Sequence, residues 1–467
     1  MKKKVKSLQA QAHEEAREVN AGDEISCSWK SILGSSLLVL LLAGCSSWLL
    51  MRKTQLPARY KEAVWSSTSD RDYMTKWLVG QGTPVVLRNT PFDKWASAFW
   101  TPEILAKESN VVQVLSKKGT NNVFRYFAND QPLSQVNKFV VSKPFIEVIY
   151  PRERFFSLLN QQFNGHYYYS SGGVELLGIE TLYSRKEIEL LTFWTTSKQE
   201  LGQVNFWFGM ENVTAYTHYD TSHNLHSISY GKKRFVLFPP EAYLELKLYP
   251  CLHQFYRQTY MSVSDVLTAD TIQKLNGIDI TLYPGEVLYI PSYWFHCVIT
   301  METTLSVNVW SQSEAYNTME NIYSLPLPFE ESWGRETLMK TLDYFWKKLA
   351  TELFHTEYKT LMKQVALERY KPLLKLFTKK EKLYLFSEVR SYCRYTNVHL
   401  SGVVSKESFQ HIDQHIDTLK NLFLAIPVQS IREINFGNYV EHTAFRILSS
   451  RSGDVLLLPF YFQHCYS

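Results

Sequence analysis

The sequence predicts a mainly β protein: a barrel with flanking helices up to about Pro328, then a mostly helical C-terminal region, with one membrane-spanning helix near the N-terminus. Three observations carry this. Between Asp70 and Pro328, short apolar runs alternate with turn residues. After Leu327-Pro328 the apolar period changes to three and four. Ser31–Met51 holds no charge over about 21 residues, enough to span a bilayer. At 467 residues, 45% hydrophobic and 15% aromatic, the chain suits one large domain with an appendage, or two domains. Net charge is +5, and no basic cluster interleaves with aromatics beyond the lysine-rich start, so nucleic acid is not an expected partner.

Residues 1–30 read as a polar tail and residues 31–51 as the transmembrane helix. Lys30 and Arg52-Lys53 bracket the apolar run, with Trp29 and Trp48 at interfacial positions. A buried core helix is the bland alternative. Leu42-Ala43-Gly44-Cys45 resembles a lipoprotein cleavage box, but the long lead containing acids fits an anchor better than a cleaved leader. Flanking charges differ little. They lean towards a cytosolic N-terminus, with the remainder lumenal or extracellular. Cys251, Cys297, Cys393 and Cys465 show neither CxxC spacing nor a dense disulfide pattern. Leu56–Ser69 reads as a juxtamembrane linker or short helix.

Within residues 52–328 the strand candidates are Val123–Phe127, Phe206–Phe208, Arg234–Phe238, Ile278–Leu282, Val287–Ile290 and Leu305–Trp310, and Arg185–Glu200 reads as a helix. Within residues 329–467, Leu338, Leu342, Phe345, Leu349 and Leu353 form one helical stripe. Phe409, Ile412, Ile416 and Leu419 form another.

The chemistry concentrates in Thr217–Pro240 and Pro284–Cys297. His218 and Asp220, two apart on an extended strand, share a face. His296 follows a Pro-Gly turn and an apolar run. Two histidines and a carboxylate form the facial triad of non-haem Fe(II), with open positions for oxygen chemistry. His-x-Asp alone is weak, since the chain has 13 histidines. His411/Asp413 and His415/Asp417 repeat it within a helical stripe, where such pairs diverge and read as solvated helix residues. Lys233 separates the first pair from the others. It shares a strand face with Phe235 and Leu237, so its ammonium faces an apolar interior and calls for an anion.

These residues carry a resemblance. Gly209–Thr214 (GMENVT), His218–Asp220, Asn224, Gly231–Arg234 (GKKR), Leu237–Pro240 (LFPP), Pro284–His296 and Val307–Trp310 occur in order, and Phe206–Trp310 resembles the Jumonji C branch of the cupin superfamily. Within it, the segment is most similar to the small hydroxylases typified by the asparaginyl hydroxylase that inhibits hypoxia-inducible factor. Pro84–Arg88 and Phe99–Glu103 extend the likeness more weakly. It implies a double-stranded β-helix (cupin, jelly-roll) barrel and an oxygenase using Fe(II), 2-oxoglutarate and dioxygen (O2), which releases succinate and CO2 and hydroxylates a C–H bond of a protein substrate. Carried over, His218, Asp220 and His296 would hold the metal and Lys233 the distal carboxylate of 2-oxoglutarate. Asn308 would bond the iron-proximal end of that cosubstrate, Asn224 would lie near the same ligand, and Tyr168, of Tyr167-Tyr168-Tyr169, would supply an assisting phenol. The family commonly carries Thr or Ser three residues before the first histidine. Here that position is Ala215, flanked by Thr214 and Thr217, so a shift moving the hydroxyl to Thr217 is one reading. Similar hydroxylases dimerise through C-terminal helices, which makes a homodimer an expectation.

Two points stay open. Gly453–Cys465 echoes Gly285–Cys297, so residues 450–467 read either as a degenerate cupin fragment or as a coincidental turn and strand. The alternative to an enzyme is a non-catalytic, membrane-tethered cupin-fold binding protein.

Overall fold

From Thr214 to Ser311 the chain passes back and forth between two β-sheets. The computed structural model describes residues 61–64, 71–90, 100–108, 113–173, 203–390, 392, 402–452 and 455–467. The apolar run Ser31–Met51, the expected helix Arg185–Glu200 and Cys393 lie outside the described residues. None of the described helices is long and apolar enough to cross a membrane.

One sheet has nine strands, in the order Lys61–Val64, Val85–Arg88, Val287–Ile290, His223–Tyr230, Thr304–Ser311, Gln203–Gly209, Tyr167–Gly173, Gln113–Gly119 and Ile146–Pro151. The other has five: Ile278–Leu282, Lys233–Phe238, Phe295–Thr300, Thr214–Tyr219 and Val123–Phe124. Successive strands from Thr214 to Phe238, and again from Ile278 to Ser311, alternate between the sheets in the jelly-roll manner expected. Tight turns make the crossings. Gly231 sits at φ +74, where a Cβ would lie 2.2 Å from the Thr303 carbonyl, so only glycine fits.

The five-stranded sheet is buried on both faces. Phe235, Leu237, Ile280 and Leu282 meet Val86, Ile228, Leu288 and Ile290 of the larger sheet and close the barrel. Val236, Phe238, Phe295 and Cys297 point the opposite way, into a core shared with the C-terminal helices. This explains why Phe235–Phe238 is apolar at every position yet still alternates in direction.

Both predicted helical stripes are present, on Arg335–Leu353 and Lys406–Leu424. Leu338, Leu342, Phe345, Leu349, Leu353, Ile412, Ile416 and Leu419 are buried within the chain, in the same core as the five-stranded sheet, while Phe409 is half-buried beside Tyr344. The stripes are therefore largely covered in cis, and their buried residues offer no surface to the expected dimer. The two spare His-x-Asp pairs lie on the second helix. His411 is exposed, but His415 is half-buried against Phe345 rather than solvated.

Several expectations need correction. Leu457–Tyr466 is a helix, not a strand, and the cupin-fragment reading of residues 450–467 fails. Its run Leu457-Leu458-Pro459-Phe460-Tyr461-Phe462 is buried all round, a pattern that periodicity cannot tell from a buried strand. Pro459 is tolerated because it lies in the first turn, where its N–H has no helical acceptor. Lys61–Val64 is an edge strand rather than linker or helix, paired in parallel with Val85–Arg88. The predicted strand Val123–Phe127 keeps only Val123–Phe124.

A buried ion pair fastens the helices to the barrel. Arg369 Nη1 donates to Glu441 Oε1 at 2.7 Å, and the other carboxylate oxygen accepts from Tyr370 Oη and the Cys251 backbone N–H. Gly437 permits the close approach, since a Cβ there would come 2.5 Å from the Val365 carbonyl. Both charged side chains are at most 3% exposed. Glu441→Ala would leave the buried Arg369 charge with only neutral acceptors, Asn438 Oδ1 and the Ile434 carbonyl, and we expect a loss of about 3–5 kcal/mol in denaturant unfolding. A loss below about 1 kcal/mol would show that these neutral acceptors satisfy the guanidinium without Glu441.

Candidate active site

His218 lies near the end of strand Thr214–Tyr219 and Asp220 just past it. His296, on the neighbouring strand, is the cross-strand partner of His218, and a register shift follows directly after it. The imidazole centroids are 4.2 Å apart, and His296 Nε2 lies 3.7 Å from Asp220 Oδ2. One ligand atom from each of the three residues lies within 4.8 Å of the others, forming the sole such cluster of three among the described residues.

Backbone carbonyls fix the tautomers. His218 Nδ1 meets the Tyr216 carbonyl at 2.7 Å, and His296 Nδ1 meets the Trp294 carbonyl at 3.0 Å. A carbonyl only accepts, so each Nδ1 carries its proton and each Nε2 presents a lone pair. Burial, then the facing His296, pushes His218 down to about 4, so it stays neutral. Burial alone would raise Asp220. The two histidines, Arg257 and the Trp310 N–H together outweigh it and hold the carboxyl below its ordinary range. Two imidazoles whose Nε2 atoms are the free ring nitrogens and a carboxylate converging on one point fit a divalent iron-type ion with open positions.

Strand Thr304–Ser311 sets the rest of the site. Ser306 Oγ accepts from Lys233 Nζ at 2.7 Å. Asn308 donates to Asn224 Oδ1 at 3.0 Å and accepts from Trp207 Nε1 at 2.6 Å. Trp310 Nε1 donates to Asp220 Oδ2 at 3.2 Å. Burial lowers Lys233 to about 7, as expected of an ammonium awaiting an anion.

These groups surround a cavity of about 590 Å³. His218, Asp220, His296, Lys233 and Asn224 line it; Tyr168, Thr217 and Asn308 do not. The two-residue period of a strand puts Tyr169 and Ser171 on the cavity wall and turns Tyr168 towards Tyr150 and the core behind. Thr217 is buried with its hydroxyl beside the Cys297 thiol. Asn308 sits one layer back, holding Asn224 and Trp207. Ala215 lines the cavity, and the Thr214 hydroxyl is turned to the Asn212 carbonyl. Neither flanking threonine replaces the missing hydroxyl. Thr300, the cross-strand partner of Lys233, brings one to the wall instead.

Other lining residues have no place in the sequence reading: Lys117, Arg125, His226 and Arg257. Trp310, known there only as the end of a strand and motif, also lines the cavity. His226 shares a strand face with Asn224, two residues away, so the alternation that placed the triad would have found it. Burial, reinforced by Lys233, keeps it neutral, and its Nε2 has no hydrogen-bond partner. Arg125 and Arg257 come from segments distant in sequence, and no local pattern marks them.

A jelly roll with a His-Asp-His cluster on its inner face defines the cupin-like class. The chain belongs to the Cupin-like domain family, whose model matches residues 71–316, more than half of it. Similar proteins include "Lysine-specific demethylase JMJ31" of Arabidopsis thaliana, 31% identical over 139 residues (29% of this chain, 25% of the relative). "Bifunctional peptidase and (3S)-lysyl hydroxylase JMJD7" of Homo sapiens is 28% identical over 135 residues (24% and 42%). "tRNA wybutosine-synthesizing protein 5" of Danio rerio is 30% identical over 135 residues (27% and 39%). The chain thus spans about a quarter to two fifths of the length of these relatives. They place it among Jumonji C proteins without singling out the asparaginyl-hydroxylase type.

We expect the full chain to take up one equivalent of Mn(II) or Co(II), monitored by calorimetry. His218→Ala should abolish uptake, and Trp310→Phe, which removes the bond to Asp220, should weaken it about 10- to 100-fold. Unchanged affinity in His218→Ala would refute the site.

Proposed function

We propose that this chain is an Fe(II)- and 2-oxoglutarate-dependent dioxygenase that hydroxylates a side chain of a protein substrate. The carrying observation is the triad, with both Nδ1 atoms tied to backbone carbonyls and both histidines lining one cavity with Asp220 and the buried Lys233. A bound iron would supply the oxidative decarboxylation of 2-oxoglutarate to succinate and CO2, coupled to insertion of oxygen from O2 into a C–H bond. The chain's residues would do the rest. Lys233, held by Ser306, would take the distal carboxylate. Asn224, held by Asn308, would orient the opposite end. Trp207 and Trp310 would exclude water. Two relatives carry lysine demethylase and lysyl hydroxylase in their names, which supports a polypeptide substrate.

The same reading anchors the protein in a membrane by residues 31–51, on the strength of that uncharged run, with the catalytic part lumenal or extracellular. Cys465 is disulfide-bonded, which supports an oxidising compartment. A non-catalytic binding protein is the second reading, favoured by Ala215. The hydroxyl of Thr300 at the same wall weakens it.

The test is release of CO2 from carboxyl-labelled 2-oxoglutarate by the Fe(II)-loaded full chain. We expect turnover that is lost in His218→Ala, and none in the wild type would favour the binding protein. A second outcome concerns protons. In the free protein Lys233 loses its proton near pH 7, whereas a bound carboxylate raises its pKa again. Below about pH 7 binding should take up no proton. Above it, binding should take up one, and affinity should fall by about tenfold per pH unit. Calorimetry at about pH 8 in buffers of different ionisation enthalpy reads this directly, and Lys233→Arg should remove the effect. Buffer-independent heats would contradict it.

A further inference from the structure

The cavity wall carries more positive charge than one cosubstrate uses. Lys117, Arg125, Lys233 and Arg257 line it, and Asp220 is the single carboxylate among the lining residues. Lys233 is committed to 2-oxoglutarate in the reading above. Lys117 has Ser171 Oγ at 3.3 Å and feels Glu147 from the neighbouring strand. Arg125 and Arg257 form no salt bridge with any described residue.

Both guanidinium groups lie within cation–π distance of aromatic rings. Arg125 lies 3.4 Å from the centroid of Tyr216 and 4.8 Å from that of Phe255. Arg257 lies 4.6 Å from Tyr256 and 5.4 Å from Tyr126, and its Nη2 donates to Tyr256 Oη at 3.1 Å. Such contacts leave donors along the edges of each group. Arg257 Nε is buried without a hydrogen-bond partner. Its backbone is at φ +64, a strained conformation for arginine, and its carbonyl accepts from Tyr219 N–H at 3.1 Å. Arg257 is thereby fastened to the strand that bears His218 and Asp220, and its charge acts on both.

A buried, unpartnered guanidinium nitrogen beside the triad is costly unless an acceptor arrives. We propose that Arg125 and Arg257 clamp an oxyanion of the substrate, a carboxylate or phosphate on a polypeptide, and so direct the oxygenase to acidic segments. The proposal rests on the oxygenase reading. A lysine side chain entering the cavity would face two fixed guanidinium groups, a repulsion that selects against it. Nucleic acid also offers phosphates, but the unpaired cations lie inside the cavity, and the sequence shows no basic stripe to track a backbone.

The test uses the full chain with Mn(II) and 2-oxoglutarate, and fluorescent peptide pools identical except for a central Asp, Glu, phosphoserine, Asn, Gln or Lys. Binding is read by anisotropy, with total tRNA as competitor. Binding of 2-oxoglutarate is measured separately by calorimetry in every variant. We expect at least one acidic pool to bind about tenfold or more tighter than its amide counterpart. That preference should vanish in Arg125→Gln and in Arg257→Gln and persist in Arg257→Lys, with 2-oxoglutarate affinity unchanged in Arg125→Gln, which lies outside the triad's electrostatics. Equal or undetectable binding of the acidic pools, preference for lysine, or displacement by tRNA at lower concentration than by acidic peptide would overturn the clamp. Persistence of the preference in both glutamine variants would also overturn it. Failure of 2-oxoglutarate to bind the wild type would instead refute the underlying oxygenase reading.

Discussion

The site depends on the inward face of a single strand. Ser306, Asn308 and Trp310, alternate residues of Thr304–Ser311, each hold a different part of the cavity: Lys233, the Asn224–Trp207 pair, and Asp220. That strand lies between Gln203–Gly209 and His223–Tyr230, hydrogen-bonded on both sides. Its side chains therefore cannot drift independently. A lysine, a carboxylate and an amide, all expensive to bury, are kept in fixed relation by neutral donors and acceptors. The imidazoles are set by a second device, carbonyls two residues upstream, which leaves both Nε2 lone pairs facing inward.

The helical region serves the same end from outside. The sheet bearing both histidines would expose Val236, Phe238, Phe295 and Cys297 on its outer face without it. Tyr293, at φ +65, donates its N–H to the Asp220 carbonyl at 2.7 Å and its hydroxyl to Asn435 on a C-terminal helix at 3.1 Å. The turn next to His296 is thus tied to the carboxylate ligand and to the helices at once. Burial on both faces lowers the dielectric around the triad, which strengthens each of these contacts and raises the cost of leaving any unmade.

What the sequence revealed followed from periodicity and local chemistry. Lys233 was legible because a cation on the Phe235–Leu237 face is too costly to bury without an anion to meet it. The helices bearing Leu338 and Ile412 were legible from spacing alone. Parity was harder. In Tyr167-Tyr168-Tyr169 nothing local says which tyrosine faces inward, and the cavity takes Tyr169; Thr217, next to the inward His218, is turned away by the same alternation. Asn308 was found, yet its indirect position depends on partners from two other strands. The tail after Gly453 copies the composition of Gly285–Cys297 without its fold, because a fully buried apolar run has no period to read. Arg125 and Arg257 reach the cavity through loop geometry, and their aromatic partners are scattered from Tyr126 to Tyr256.

The central claim is that one cavity holds a divalent metal on the triad and a dicarboxylate on Lys233 side by side. Visible absorption of the Fe(II)-loaded full chain under anaerobic conditions, before and after 2-oxoglutarate, tests it most directly. The account predicts a metal-to-ligand charge-transfer band on addition of 2-oxoglutarate in the wild type, absent without iron and diminished in Ser306→Ala, where Lys233 loses its tether. A folded, iron-loaded wild type that shows no band would contradict the account.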